Sequence, residues 1–311
     1  MTQLPRLMMF VALLLVAVSM AQPAGAADAP QAISLFGQPL YTPPPSPEAQ
    51  TKYQTAKADY EADPGNADKL IWYGRRAAYA GRFDDAIRIY SEGVRKFPQD
   101  ARILRHRGHR YITTRQFDKA IADFEKAYAL IAGKKDEIEP DGAPNARGIP
   151  VSTLDGNIRY HLGLAYYLKH DWKNALRLYS EEVRLADNDD RRIAASYWVY
   201  QILRRMGEDR KASAFLKTVP QKPDLIENEA YWRVLRLDMG AITEAETQKD
   251  GAKDPSGIAV AYGVANHHLF GGDKSGAFKR MNDILDTSGW ADFGYIAAES
   301  DLAFYKARTT K

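Results

Sequence analysis

The chain has 311 residues, with 43 Lys and Arg against 40 Asp and Glu, and no cysteine. Its formal charge of +3, or +2 without the single Arg6 of the first segment, argues against duplex nucleic acid, which needs a strongly basic face, and leaves room only for local basic patches. The lack of cysteine excludes a disulfide framework and a lipid anchor on cysteine, so stability has to come from packing.

Residues 1–26 combine one positive charge, an apolar run from Leu7 to about Met20 and the small residues Ala24-Gly25-Ala26. That is the plan of a secretory signal peptide cleaved after Ala26, and it predicts export, in a bacterial host to the periplasm. The run is shorter than the roughly 20 residues of a membrane span, so the membrane enters only if the signal stays uncleaved. Residues 27–45 form a proline-rich, extended lead, a flexible arm or a strap across the rest. Ser46-Pro47-Glu48 then starts a helix with a serine cap, a first-turn proline and an early acid, and Asp63-Pro64-Gly65-Asn66 ends it.

A repeat follows. Gly74 and Gly108 are 34 residues apart, as are Phe83 and Phe117, Ala86 and Ala120, and Tyr90 and Phe124. Gly163, Tyr166, Trp172, Ala175 and Tyr179 lie 55 residues after Gly108, Tyr111, Phe117, Ala120 and Phe124. The third copy is therefore the same unit displaced by 21 residues. These stretches resemble the tetratricopeptide repeat family, whose unit is a helix, a tight turn and a second helix. Glycine at mid-helix costs about 1 kcal/mol relative to alanine, so its recurrence predicts close approach of another backbone. The aromatics Tyr90, Phe124 and Tyr179 are expected to fill the space between units.

The clear repeats span 67–100, 101–134 and 156–189, with an insertion over 133–155 that is rich in glycine, proline and charge. Degenerate repeats cover 190–288, with Ala212 and Ala277 as small contacts, and a last helix near 291–308 would close the stack. Residues 46–311 are thus expected to form an all-α, right-handed α-solenoid of about six helix-turn-helix pairs with capping helices at both ends.

The resemblance implies a concave groove lined by positions 2, 5, 6, 9, 12 and 13 of each unit, counted from Ala67, Ala101, Gly156 and Ile193. The candidate partner-binding residues are Trp72, Arg75 and Tyr79 in the first unit and Arg102, Arg105, His106 and His109 in the second. The third gives Asn157, Tyr160 and His161, and the fourth Tyr197, Trp198, Gln201 and Arg204. Arginine holds carboxylates with paired hydrogen bonds and aromatics add contact area at low entropy cost. The expected partner is an acidic or carboxylate-bearing peptide or protein segment, and no cofactor is implied. Some family members clamp a peptide's terminal carboxylate. Arg102, Arg105 and Asn157 echo that arrangement, but Ile71 and Arg75 stand where the family's first-unit lysine and asparagine are expected.

Two other readings compete with a protein-binding scaffold. The mixture of aromatics and arginines would also suit an acidic glycan or cell-wall polymer. His106 and His109 share a helix face and His161 repeats the His106 position, so a metal-dependent or histidine-dependent enzyme is the third reading. No HExxH or Cys/His spacing supports a metal, and no GxSxG or phosphate-binding loop supports catalysis. Arg107 falls where the family places an apolar residue and is unexplained by the pattern.

Overall fold

The computed structural model describes residues 29–140, 142, 144–248 and 257–309; the expected signal, residues 1–26, lies outside them. A two-stranded antiparallel hairpin comes first, β1 (Ala32–Ile33) and β2 (Pro39–Leu40). Fourteen helices follow among the described residues: α1 (Pro47–Ala62), α2 (Ala67–Tyr79), α3 (Phe83–Lys96), α4 (Ala101–Thr113), α5 (Phe117–Ile131), α6 (Leu154–Leu168) and α7 (Trp172–Leu185), then α8 (Asp189–Arg205), α9 (Asp209–Leu216), α10 (Glu229–Asp238), α11 (Glu244–Gln248), α12 (Gly257–Phe270), α13 (Lys274–Leu285) and α14 (Phe293–Thr309). None of the described helices is long and apolar enough to cross a membrane.

The architecture is an all-α array of helix pairs. Each first helix packs on its own second helix, and the first helices also touch one another in series, α2 on α4, α4 on α6, α6 on α8, α8 on α10 and α10 on α12. They form the inner layer. The Ser46 hydroxyl caps α1 as the sequence predicts, accepting from Ala49 N, and side chains also cap α2 and α4, Asn66 accepting from Asp68 N and Lys69 N and Asp100 from Arg102 N. In the third unit Thr153 caps α6, whose first residue Leu154 lies two residues ahead of the repeat start expected at Gly156.

The glycine at position 8 makes room for a ring rather than for a backbone. A Cβ on Gly74 would lie 2.4 Å from the Tyr90 ring, on Gly108 2.8 Å from Phe124 and on Gly163 2.9 Å from Tyr179. Each unit thus seats its own position-24 aromatic flat on its own glycine, and all three rings are fully buried.

Arg107 is explained by a paired replacement. Its guanidinium donates two 2.7 Å hydrogen bonds to the Asp123 carboxylate and a third, of 3.2 Å, to the Ser91 hydroxyl. Position 7 is Tyr73 or Leu162 in the flanking units and position 23 is Ile89 or Leu178, so an ion pair stands here for two apolar residues. The third unit repeats the device at positions 4 and 27. Leu70 and Gly93, or Leu104 and Ala127, become Arg159 and Glu182, joined at 2.9 Å, with Arg191 2.7 Å from the same carboxylate. Removing one partner of a buried pair typically costs about 3–5 kcal/mol, whereas replacing both by apolar groups is often neutral. Asp123→Leu alone should therefore lower unfolding free energy by about 3 kcal/mol. The double variant Arg107→Leu with Asp123→Leu should recover most of it, as measured by urea titration.

Candidate functional site

The concave layer is organised by rings at position 6. His106 stacks on Tyr90 of the preceding unit (centroids 5.7 Å apart, planes at 14°), His161 on Phe124 (5.8 Å, 17°) and Trp198 on Tyr179 (5.8 Å, 15°). The two histidines occupy the place that tryptophan takes in the fourth unit. Burial, and then the nearby Arg105 charge, push His106 down to about 4 and His161 down to about 3, so both are neutral at neutral pH. His109 is likewise held well below its usual value, chiefly by burial. Its ring lies 4.6 Å from that of His161. Among the described residues no group of three or more His, Asp or Glu is arranged to hold a metal ion.

The groove-facing residues of units one to three meet a segment of the chain itself. The insertion folds back, with Glu139 N donating to Ser152 O at 3.1 Å and Leu154 N to Glu137 O at 2.8 Å, and carries Glu139 into the inner layer. There Asn157 Nδ2 donates to Glu139 Oε2 at 2.5 Å. Arg105 Nε is 3.2 Å from Oε2 and His106 Nε2 3.0 Å from Oε1, contacts of charge and proximity rather than aligned hydrogen bonds. Arg105 Nη1 lies 2.9 Å from His106 Nδ1, which the neutral ring presents as an acceptor. Glu139 is only 8% exposed. Burial alone would raise its pKa, but Arg105, then His106 and Asn157, outweigh that and hold it well below the usual carboxylate range.

The first unit takes the next residues of the same segment. Arg75 Nη1 donates to Pro140 O at 2.7 Å, Arg76 Nη1 lies 3.4 Å from Gly142 O, and a Cβ on Gly142 would sit 2.0 Å from the Tyr79 hydroxyl. Trp72 lies beneath the Arg75 and Arg76 guanidinium groups, at 4.5 and 4.9 Å. Arg102 points elsewhere: Asp100 takes it at 2.6 and 3.0 Å and Asp68 at 2.6 Å, so it lies at the rim, already paired. The space left beside Arg75, Arg105 and Glu139 is about 110 Å3, well below the roughly 300–1,000 Å3 of a ligand pocket.

Much of the rest of the concave face is covered by the end of the chain, leaving a cavity of about 240 Å3 between Asn157, Tyr160, His161, Tyr231 and Phe293. α14 was expected only to cap the last unit; it packs on α12 and α13 as a cap would, but also reaches α6. Phe293 touches His109 and His161 at 5.1 and 5.5 Å between centroids, and Trp290 meets Phe83 of the first unit at 5.4 Å. Glu299 accepts from Arg115 Nε and Nη2 at 2.9 and 2.6 Å. Asp301 accepts from Arg205 and, at 2.7 Å, from the Tyr262 hydroxyl, with His170 Nε2 3.2 Å away. The proline-rich lead acts as a strap: Trp290 Nε1 donates to Tyr41 O at 2.6 Å and Thr42 Oγ1 to Gly81 O at 3.0 Å.

The anchors Arg115 and His170 share position 15, the turn between a unit's helices. Position 15 is Gly81 in the first unit and Gly207 in the fourth, with φ of 73° and 72°. Arg115 and His170 hold the same left-handed geometry at 62° and 59°, where a side chain is disfavoured by about 1–2 kcal/mol. Both side chains lead to carboxylates of α14, a sign in the sequence that register arithmetic could have shown: Arg and His where glycine is expected.

The fourth-unit candidates are interior. Tyr197, Trp198 and Gln201 are fully buried, because the position-6 ring and its neighbours face α10 across the unit interface. Trp198 Nε1 donates to the Tyr160 hydroxyl at 3.0 Å, and Tyr160 and Tyr231 share a 2.8 Å hydroxyl contact. Arg204 turns to α12 and the following turn, donating to Phe270 O at 2.8 Å and pairing with Asp209 at 2.9 Å.

No protein-family model matches the chain, and no curated protein matches it. Solved structures do. One is YrrB, described as a TPR protein with an unusual peptide-binding site, 16% identical over 82% of this chain and 99% of that chain, with TM-score 0.42. Another is a tetratricopeptide repeat protein from Parabacteroides merdae, 14% identical over 83% and 93%, with TM-score 0.47. The likeness is one of fold, rows of paired helices.

Two outcomes follow from this geometry. His106 and His161 bind protons in the unfolded chain near pH 6.5 but in the folded one only near 4 and 3, so their contribution is complete above pH 6.5 and lost as pH falls through those values. Each should add a slope of about 1.4 kcal/mol per pH unit in that window. His161→Phe, which keeps the stacked ring, should remove one such proton from urea titrations between pH 7 and 5. Arg115→Gly should lower the melting temperature although it relaxes the backbone, because the buried Glu299 loses its partner; a rise would mean that the turn geometry outweighs the contact.

Proposed function

We propose that the protein is a non-enzymatic adaptor whose concave face over units one to three binds an extended, acidic segment of a partner protein. The observation that carries this reading is the convergence of Arg75, Arg76, Arg105, His106 and Asn157 on Glu139, Pro140 and Gly142 of the insertion. Two arginines meet main-chain carbonyls and the other three residues surround a carboxylate. Groups placed this way suit a peptide. An anionic glycan offers carboxylates but no series of amide carbonyls for Arg75 and Arg76. The candidate catalytic histidines are already used as stacked, neutral rings, which supports binding over chemistry.

The signal-like residues 1–26 support an exported adaptor, in a bacterial host a periplasmic one. The test is an array of 12-residue peptides graded from acidic to basic, with anionic polysaccharide alongside. Acidic peptides should be retained preferentially, and Arg75→Glu with Arg105→Glu should weaken them at least tenfold with helical circular dichroism unchanged. Equal retention of basic and acidic peptides would remove the reading, and saturable binding of polysaccharide alone would replace it by the glycan.

A further inference from the structure

The insertion is held in an unusual way for a segment that carries a buried charge. Its outward side chains Ile138 and Ile149 are 67% and 47% exposed, so they add nothing to a core of its own. The buried Glu139 carboxylate is met by Arg105, His106 and Asn157, all of which belong to the groove. Pro140 and Gly142 present main-chain carbonyls to Arg75 and Arg76, and a Cβ on Gly142 would lie 2.0 Å from the Tyr79 hydroxyl and 2.6 Å from Arg75 Nη2, so a side chain there would have to push both aside. The loop's described internal links are the Ile138–Thr153 bridge with two flanking backbone hydrogen bonds and a turn at Asn145, and outside the groove exposed polar contacts hold it, Asn145 Nδ2 to Glu227 at 2.7 Å and Arg147 to Asp224 at 3.0 Å. The loop is therefore seated by groove residues at three successive points, as a separate peptide would be.

We infer that the Glu-Pro-x-Gly element of the insertion, seen at Glu139, Pro140 and Gly142, is a resident copy of the partner's recognition element, and that the partner binds by displacing it. The inference rests on the proposed function and narrows it. The partner's segment is extended, places a carboxylate between Arg105, His106 and Asn157, and has a glycine three residues later against Tyr79. A ligand that needs a minor, open form of the groove binds more weakly by the fraction of molecules open. Freeing the groove should raise affinity by that same factor.

The probe is a fluorescein-labelled peptide of residues 134–145, added to the full chain, to its Glu139→Gln variant and to a variant with residues 138–150 replaced by glycine and serine at equal length. Fluorescence anisotropy should show both variants binding the peptide at least tenfold more tightly than the unaltered chain. Changing Glu139→Gln or Gly142→Val within the peptide should each cost tenfold or more. Equal affinity for all three proteins would overturn displacement while leaving the groove reading intact. Indifference to both peptide changes would overturn the Glu-Pro-x-Gly element. A folded loop-replaced variant that binds neither this peptide nor any acidic peptide of the array would remove both the inference and the groove. Should the loop replacement fail to fold, the Glu139→Gln comparison decides alone.

Discussion

Everything on the concave face depends on one contact, an aromatic ring pressed between its own unit's glycine and the flat ring at position 6 of the next unit. Tyr90, Phe124 and Tyr179 each make it, with His106, His161 and Trp198 as the facing rings. Stacking in this orientation contributes contact area and about 0.5–1.5 kcal/mol beyond burial, and it sets the rotation of each first helix. With position 6 fixed as the interface ring, positions 2, 5 and 9 are carried to the inner surface. That is why Arg105, Asn157 and Arg75 meet one segment of chain although they come from three different units. Trp72, in the first full unit, has guanidinium groups over its ring in place of an aromatic from a unit before it.

An inner surface built from cations cannot be covered by apolar chain, because an unpaired buried charge costs several kcal/mol. Two segments supply the missing carboxylates. α14 brings Glu299 to Arg115 and Asp301 to Arg205 and His170, and the insertion brings Glu139 to Arg105. The left-handed turns at Arg115 and His170 belong to the same logic. Each accepts a backbone geometry suited to glycine in order to aim a basic side chain at the helix that lies inside the curve.

The repeat was legible because it is local: the glycine, the small alanine and the aromatic recur at fixed spacing, and each makes contacts within its own or the adjacent unit. Pair identities were partly legible. Arg107 looked anomalous alone, but position 23 also loses its apolar residue at Asp123, and the two losses together spell an ion pair. What was not legible is where distant segments land. Nothing in the spacing of residues 286–301 says that Trp290 will touch Phe83 or that Phe293 will reach His161, since those contacts are decided by the curvature of the whole array. The glycine was read as a site of backbone approach, and its real occupant is a ring. Tyr197, Trp198 and Gln201 were placed on an open face by position number alone, while α10 covers them.

The two segments that fill the concave face are held by different physics, and this difference separates scaffold from site. α14 buries Tyr295, Ile296, Ala297 and Ala298 against its neighbours, and its ion pairs at Glu299 and Asp301 sit inside that apolar setting. Lifting it would expose apolar surface and strand charges at once, so it opens only with a large part of the fold. The insertion buries Val151 near its base, and the rest of its hold is polar. Water or another peptide can replace every hydrogen bond that Arg75, Arg76 and Asn157 make to it, which places it at the low-stability end of the structure. A partner that offers the same carboxylate and carbonyls exchanges like for like. The net cost of entry is then the ordering of its own chain, and the displaced loop regains part of that entropy.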